Sequence, residues 1–235
     1  MEAQPDPGGW GVGGEATRLL LEFLRVLVHL ILYTRRVYPE ETFERRRFLE
    51  VIVYRSRHPG LCEYIDDAVQ GLGELLCAGL AEAFVIVIHE AGETHRCELP
   101  RSRELQFYAP SVFERFVVEL HSHSEEGGTN ASLCDPQGLA SLRAHLRGFL
   151  LKVQVSPSLL SPPRERDVSF KIEVHARSDQ QDMPLSDHLR DRWVQCDHRS
   201  EVASFHGPSR VVPLKSLCLP ALGIQLLAQE AMSKQ

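Results

Sequence analysis

Lysine is scarce in this sequence: it stands only at positions 152, 171, 215 and 234, and every other basic side chain is arginine. The 26 basic residues are outnumbered by 32 acidic ones, for a formal charge of −6. Non-specific nucleic-acid binding is mainly phosphate neutralisation by Lys and Arg, so this balance argues against a chain that grips bare DNA or RNA. Long apolar runs are missing too. The run LLLEFLRVLVHLILY is interrupted and falls short of the roughly 20 apolar residues needed to span a bilayer. No two of Cys62, Cys77, Cys97, Cys134, Cys196 and Cys218 stand in a CxxC pair or at zinc-finger spacing. The first residues lack a basic segment leading into a short apolar core, so no secretory signal is expected. The cysteines are therefore expected to be free thiols in a reducing compartment, and the sequon Asn130-Ala131-Ser132 a chance match. GxxxxGK[ST], a Gly-rich dinucleotide loop, GxSxG and HExxH are all absent, which removes the commonest nucleotide, hydrolase and metalloprotease signatures.

What is present is ordinary for a globular protein: 43% hydrophobic and 25% charged residues over 235 positions, enough for one large domain or two small ones. Residues 1–14 (MEAQPDPGGWGVGG) form a Gly/Pro-rich tail with nothing to pack, expected to be disordered. Residues 16–38 carry the strongest helical signal. Arg18, Glu22, Arg25, His29 and Arg36 fall on one stripe and the other faces are apolar, so the helix is expected to be central and to end at Tyr38-Pro39. Residues 40–57 read as a hairpin or an extended segment. A second helix is expected from Pro59 to about Leu80, weakened by Gly71 and Gly73.

Phe84–Ile88 is a continuous β-branched run typical of a strand covered on both faces. Further strands are expected near 94–99 and 112–120, then a polar loop over 121–135. A third helix starts behind Asp135-Pro136, with Leu139, Leu142, Leu146, Phe149, Leu150 and Val153 as its buried face. Val168, Phe170, Ile172 and Val174 alternate with polar residues, as in a half-buried strand. From His175 to about Gly207 no apolar period is sustained, yet Trp193 lies inside and apolar chain resumes at Val211-Val212-Pro213-Leu214. Loops above about 12–15 residues inside a domain are usually lids or linkers. A linker has no use for a tryptophan, so this segment reads as a strap tied down at both ends.

One constellation carries possible metal chemistry. His121-Ser122-His123, with Ser132 and Asp135 downstream, resembles the zinc motif of the isopeptidases that remove ubiquitin. In that motif Pro follows the second His, where Ser124 stands here, and the Asp comes one residue earlier, at Cys134. The alternative is an exposed polar hairpin end in which Asp135 caps the third helix.

Glu22-Phe23-Leu24, Val28-His29-Leu30-Ile31-Leu32-Tyr33 and Val37-Tyr38-Pro39 together resemble the first helix of the HORMA-domain family, in the branch that serves translesion DNA polymerase zeta as accessory subunit. His58-Pro59 with Tyr64-Ile65 resembles the second helix of that branch. Leu146-Arg147-Gly148-Phe149-Leu150-Leu151-Lys152-Val153 resembles the third, and Phe170 with Val174-His175-Ala176-Arg177 a following strand. Pro208-Ser209-Arg210-Val211-Val212-Pro213-Leu214-Lys215 resembles the C-terminal part. The matches keep this order over about residues 16–230.

The resemblance implies an α+β HORMA domain over 15–230: three helices packed on a mostly antiparallel sheet, with 175–230 as C-terminal safety belt and closing strands. It implies a non-catalytic adaptor, with no catalytic residue, cofactor or metal, that entraps a partner peptide under the belt. Tyr64 and Trp193 match the family's aromatic peptide contacts, and Gln195 stands where the next belt contact is apolar. Val211, Gln225 and Leu227 match the surface that receives the C-terminal domain of the Rev-one translesion polymerase, with Leu227 where an aromatic is usual. Arg147 and Arg45 match a self-association surface, so a homodimer is among the expectations. The implied partners are a peptide of the polymerase zeta catalytic subunit, the Rev-one-type polymerase, shieldin subunits, an AAA+ remodelling ATPase and anaphase-promoting-complex activators. Direct nucleic-acid or membrane contact is not implied. The implied location is the nucleus, extending to cytoplasm and spindle. A spindle-checkpoint-type HORMA protein with a different peptide is the nearest alternative.

Overall fold

The structure, a computed structural model, describes residues 14–91, 111–122, 136–163, 167–177, 186–190, 193–194, 205, 207–219 and 222–232. In chain order these form α1 (Glu15–Thr34), the hairpin β1 (Phe43–Phe48) and β2 (Val51–Ser56), α2 (Pro59–Cys77), β3 (Ala81–Glu90), β4 (Val112–Ser122) and α3 (Pro136–Val155). After them come β5 (Val168–Ala176), the short turn of helix α4 (Asp187–Arg190), β6 (Ser209–Leu219) and β7 (Leu222–Ala231). The tail before residue 14, the strand expected near 94–99, Asp135 and most of the expected strap lie outside the described residues.

The main sheet has strand order β5-β3-β4-β7-β6, and every neighbouring pair is antiparallel. The hairpin β1–β2 stands apart from it. Period-two alternation sorts the sheet residues between two faces. Phe84, Ile86, Phe116, Val118, Ile224 and Leu226 turn to the helices and join one core with α1, α2 and α3. Ala83, Val85, Val87 and Val112 turn the other way into a smaller cluster with Val117 and Phe205. The β-branched run in β3 is thus covered on both faces, as its composition implies.

Helix α1 is the centre of the core. Phe23, Leu24, Leu27, Val28, Leu30, Ile31 and Leu32 are fully buried, and the helix lies against α2, α3 and β2. Gly73 lets α1 and α2 approach closely, because a Cβ there would come within 3.0 Å of Leu21 Cδ1. The helix ends at Thr34, earlier than the Tyr38-Pro39 boundary expected from the proline rule. Arg36 takes φ of 53°, and Val37 N–H donates to Leu32 O at 3.0 Å, closing the end with a left-handed turn.

That turn aims Arg35 inward. Its side chain is 1% exposed and donates to Glu114 through Nε at 2.7 Å and through a second guanidinium nitrogen, which also donates to Ser161 O at 2.8 Å. Glu114 on β4 lies opposite Glu230 on β7. Glu230 accepts from Ser161 N–H at 2.8 Å and from Arg210 Nε on β6 at 2.9 Å. Arg35, Glu114, Ser161, Glu230 and Arg210 therefore join the end of α1, the middle of the sheet, the chain after α3 and the C-terminal hairpin.

The expected polar stripe of α1 divides by position. Arg18 and Glu22 are exposed and Arg25 pairs with Asp66 at 2.8 Å. His29 is 5% exposed beneath the hairpin, and its Nδ1 accepts from Ser56 N–H at 3.4 Å. Burial and the nearby Arg55 charge lower its pKa to about 4, against a smaller upward pull from Asp66.

Two outcomes follow from these buried polar groups. Glu114→Leu is expected to lower the unfolding free energy in urea by roughly 3–5 kcal/mol, because it strands a buried Arg35 charge. Arg35→Met in the same chain should recover more than half of that loss. Because His29 binds its proton less readily folded than unfolded, its share of stability is complete above pH about 6.5 and is lost as pH falls towards about 4. That share amounts to roughly 3 kcal/mol. In His29→Gln, denaturant midpoints measured across this pH window should fall less steeply than in the parent.

Candidate functional site

Strand β5 is an edge of the main sheet, hydrogen-bonded to β3 on one side only. An edge strand offers unpaired backbone donors and acceptors to any extended chain laid against it. One of these donors is already occupied: Ile172 N–H donates to Tyr64 Oη at 3.0 Å. Tyr64 is 42% exposed, and its ring meets Phe170 edge-on at 5.6 Å between centroids. Burial raises the phenol pKa, partly offset by the Ile172 N–H, and the hydroxyl stays a neutral cap on the strand.

Local sequence sets this position. His58 caps α2 through Nδ1, which accepts from Leu61 N–H at 3.2 Å, and Pro59 supplies the first helical residue. Ile65 is fully buried, so the preceding Tyr64 turns out towards β5. Next to this edge Glu173 faces away from the helices. Burial pushes its pKa up, but contacts with His175 and Lys171 and the Arg115 charge outweigh that and hold it at about 2.

Three described points of the expected strap, at Arg177, Ser186 and Trp193, lie along the same helix. Arg177 N–H donates to Leu80 O at 2.9 Å just past α2. Ser186 donates to Glu74 through its backbone N–H at 2.7 Å and its hydroxyl at 3.0 Å, starting α4. Trp193 lies on Gly71, where a Cβ would come within 2.7 Å of the indole Nε1. Tyr64 and Gly71 are two helical turns apart and share one side of α2. The structure thus places Tyr64 and Trp193 along one helix side, with Tyr64 reaching the open edge. Gln195 lies outside the described residues. Phe205 touches the opposite face of the sheet, with its ring 5.4 Å from the Arg115 guanidinium.

The other expected residues are distributed as follows. Leu227 pairs with Val117 and Pro213, Gln225 with Glu119 and Ser216, and Val211 with Gln229, which puts all three on the sheet face away from the helices. Val211 is exposed and the other two are half-buried. Arg147 on α3 pairs with Glu50 at the hairpin turn at 2.7 Å, and Arg45 is exposed on the same hairpin. His121 is the penultimate residue of β4, exposed and 3.7 Å from Glu119. His123 and Asp135 lie outside the described residues, and among the described residues no cluster of three metal-ligating side chains forms. Among them, too, no helix is long and apolar enough to cross a membrane.

Sequence reading missed Gly71, Glu74 and Ser186. Gly71 counted only as a weak point in α2, although a glycine inside an otherwise good helix is itself a sign of close approach. The arrangement can hold an extended peptide: an open strand edge, an aromatic at its rim, and a strap fastened beside it. Tyr64→Phe should free the Ile172 amide. Its hydrogen exchange, followed by NMR, is expected to quicken roughly five-fold, matching the loss of a bond worth about 1 kcal/mol.

The HORMA domain family profile matches residues 17–181. Human mitotic spindle assembly checkpoint protein MAD2B is 31% identical over 220 residues, covering 92% of this chain and 91% of that protein. The DNA polymerase zeta processivity subunit of Arabidopsis thaliana is 29% identical over 215 residues, covering 91% of this chain and 85% of the relative. Among solved structures, a chain of the mitotic checkpoint complex superposes with a TM-score of 0.69 at 18% identity, covering 92% of this chain and 99% of that one. Caenorhabditis elegans HTP-2 bound to a closure motif of HTP-3 superposes at 0.60 with 12% identity, covering 92% and 85%. The fold, the strap along α2 and these matches agree: this chain belongs to the HORMA domain family.

Proposed function

We propose that this chain is a non-catalytic HORMA adaptor that takes up a short partner peptide at the β5 edge and encloses it with the segment after Arg177. The observation that carries the reading is the β5 edge itself, half open, with Tyr64 on its rim and Trp193 fastened alongside. Main-chain pairing supplies affinity in this mode, and an enclosing strap acts mainly on the off-rate. The names of the relatives direct the finer reading. The partner is a peptide of the polymerase zeta catalytic subunit, and the protein joins translesion polymerases in DNA damage tolerance and repair. Val211, Gln225 and Leu227 then receive the C-terminal domain of a Rev-one-type polymerase. Shieldin subunits, an AAA+ remodelling ATPase, anaphase-promoting-complex activators and self-association through Arg147 and Arg45 belong to the same proposal, as does a nuclear location extending to cytoplasm and spindle. A checkpoint role is the second reading, favoured by the name of the human relative.

The test is direct binding of a labelled peptide from the polymerase zeta catalytic subunit, followed by fluorescence anisotropy. The parent protein should bind it, and Trp193→Ala should weaken binding at least ten-fold, as expected for an aromatic anchor worth about 2 kcal/mol. No binding by the parent sinks the polymerase partner, and unchanged binding by the variant sinks the strap mode.

A further inference from the structure

Beyond the Arg177 bond at its start, the strap makes two contacts of different kinds on α2, and their helix partners, Gly71 and Glu74, are not among the residues expected to touch peptide. Glu74 takes two hydrogen bonds from Ser186 and so fixes the start of α4. Gly71, one turn earlier in α2, forms a bare patch of helix on which the Trp193 indole lies, leaving no room for a side chain. From Leu80, where Arg177 is held, through Glu74 to Gly71, the three contacts step back along α2 towards Tyr64. These three described points of the strap thus follow α2 in the reverse order of the helix.

We propose that Gly71 and Glu74 are the positioning residues that hold the strap closed on α2, so that strap closure is set by the helix and not only by the peptide. Gly71 does so by shape. A flat, rigid indole can rest on helix backbone only where no Cβ intervenes, and the ring is part of the strap, so adding a Cβ displaces the strap itself. Glu74 does so by charge-assisted hydrogen bonding to a backbone N–H and a hydroxyl that the strap presents together. A glycine inside an exposed helix normally loses stability relative to alanine. Here the glycine is kept by what lies on it, and that gives the proposal an unusual signature: removing the glycine should strengthen the helix and loosen the strap at once. As a device, this helix-borne lock slows both peptide uptake and peptide release. The second half of that statement rests on the adaptor reading; the lock itself does not.

The experiment uses the full chain with Trp10→Phe, which leaves Trp193 as the sole tryptophan. Acrylamide quenching and the emission maximum then report the strap directly. Gly71→Ala is expected to raise the quenching constant at least two-fold and shift emission to the red, with helix content and unfolding midpoint equal to or above the parent. Glu74→Ala should raise quenching in the same direction. Unchanged quenching in Gly71→Ala overturns the seat, and unchanged quenching in Glu74→Ala overturns the hook. If both hold, release of the labelled peptide used above should be at least five-fold faster from either variant. Quenching needs no peptide, so a parent protein that binds none refutes the adaptor reading while the lock is still decided on its own readout.

Discussion

The constraint on which the rest of the structure depends is the buried polar network around Ser161. Two carboxylates, Glu114 and Glu230, face each other across adjacent strands, and each is neutralised by its own arginine, Arg35 and Arg210. Ser161 bridges them, donating its N–H to Glu230 while its carbonyl accepts from Arg35. Burial alone would raise the pKa of Glu230, but the Ser161 N–H and Arg210 outweigh it and keep the carboxyl ionised. A buried charge tolerates one arrangement only, because any slip leaves it unpaired at a cost of several kcal/mol. The register of β4 on β7 and of β7 on β6, the exit of α1 and the path after α3 are therefore specified together. The last strands in the sequence become an interior strand, β7, and one edge, β6, of the sheet, and β5 forms the opposite edge.

That open edge sets the problem that the strap solves. Exposed strand edges invite uncontrolled pairing. Here the β5 edge is guarded in three ways: Tyr64 occupies the Ile172 donor, the charged trio Lys171, Glu173 and His175 lines the face beside it, and the strap runs along the neighbouring helix. In the adaptor mode proposed above, an incoming peptide replaces the Tyr64 contact with its own carbonyl and finds room beside Trp193, so that recognition and protection are two uses of the same groups.

Much of this was legible in the residues. The apolar faces of α1, α2 and α3, the hairpin, the doubly covered β3 and the alternation in β5 follow from periodicity. Trp193 alone in a polar stretch marked a strap tied to the body. Other features were hidden because they rest on contacts between distant positions. Proline chemistry at Tyr38-Pro39 set an upper limit for α1, but the helix ends earlier because Arg35 turns inward to Glu114. His29 was legible as a member of the α1 stripe, but its cover by the hairpin was not. Gly71 read as a defect of α2, since its reason is an indole more than a hundred positions away in the chain.

The sequence by itself determined the family, the three helices and the strand alternation, because helical and strand periods and short motifs are local properties. Only the tertiary structure decided which strand remains an edge, which arginine is buried, what covers His29 and why a glycine belongs in the middle of α2. Those outcomes depend on close contacts and charge pairs between segments far apart in sequence, and such contacts exist only once the chain has folded.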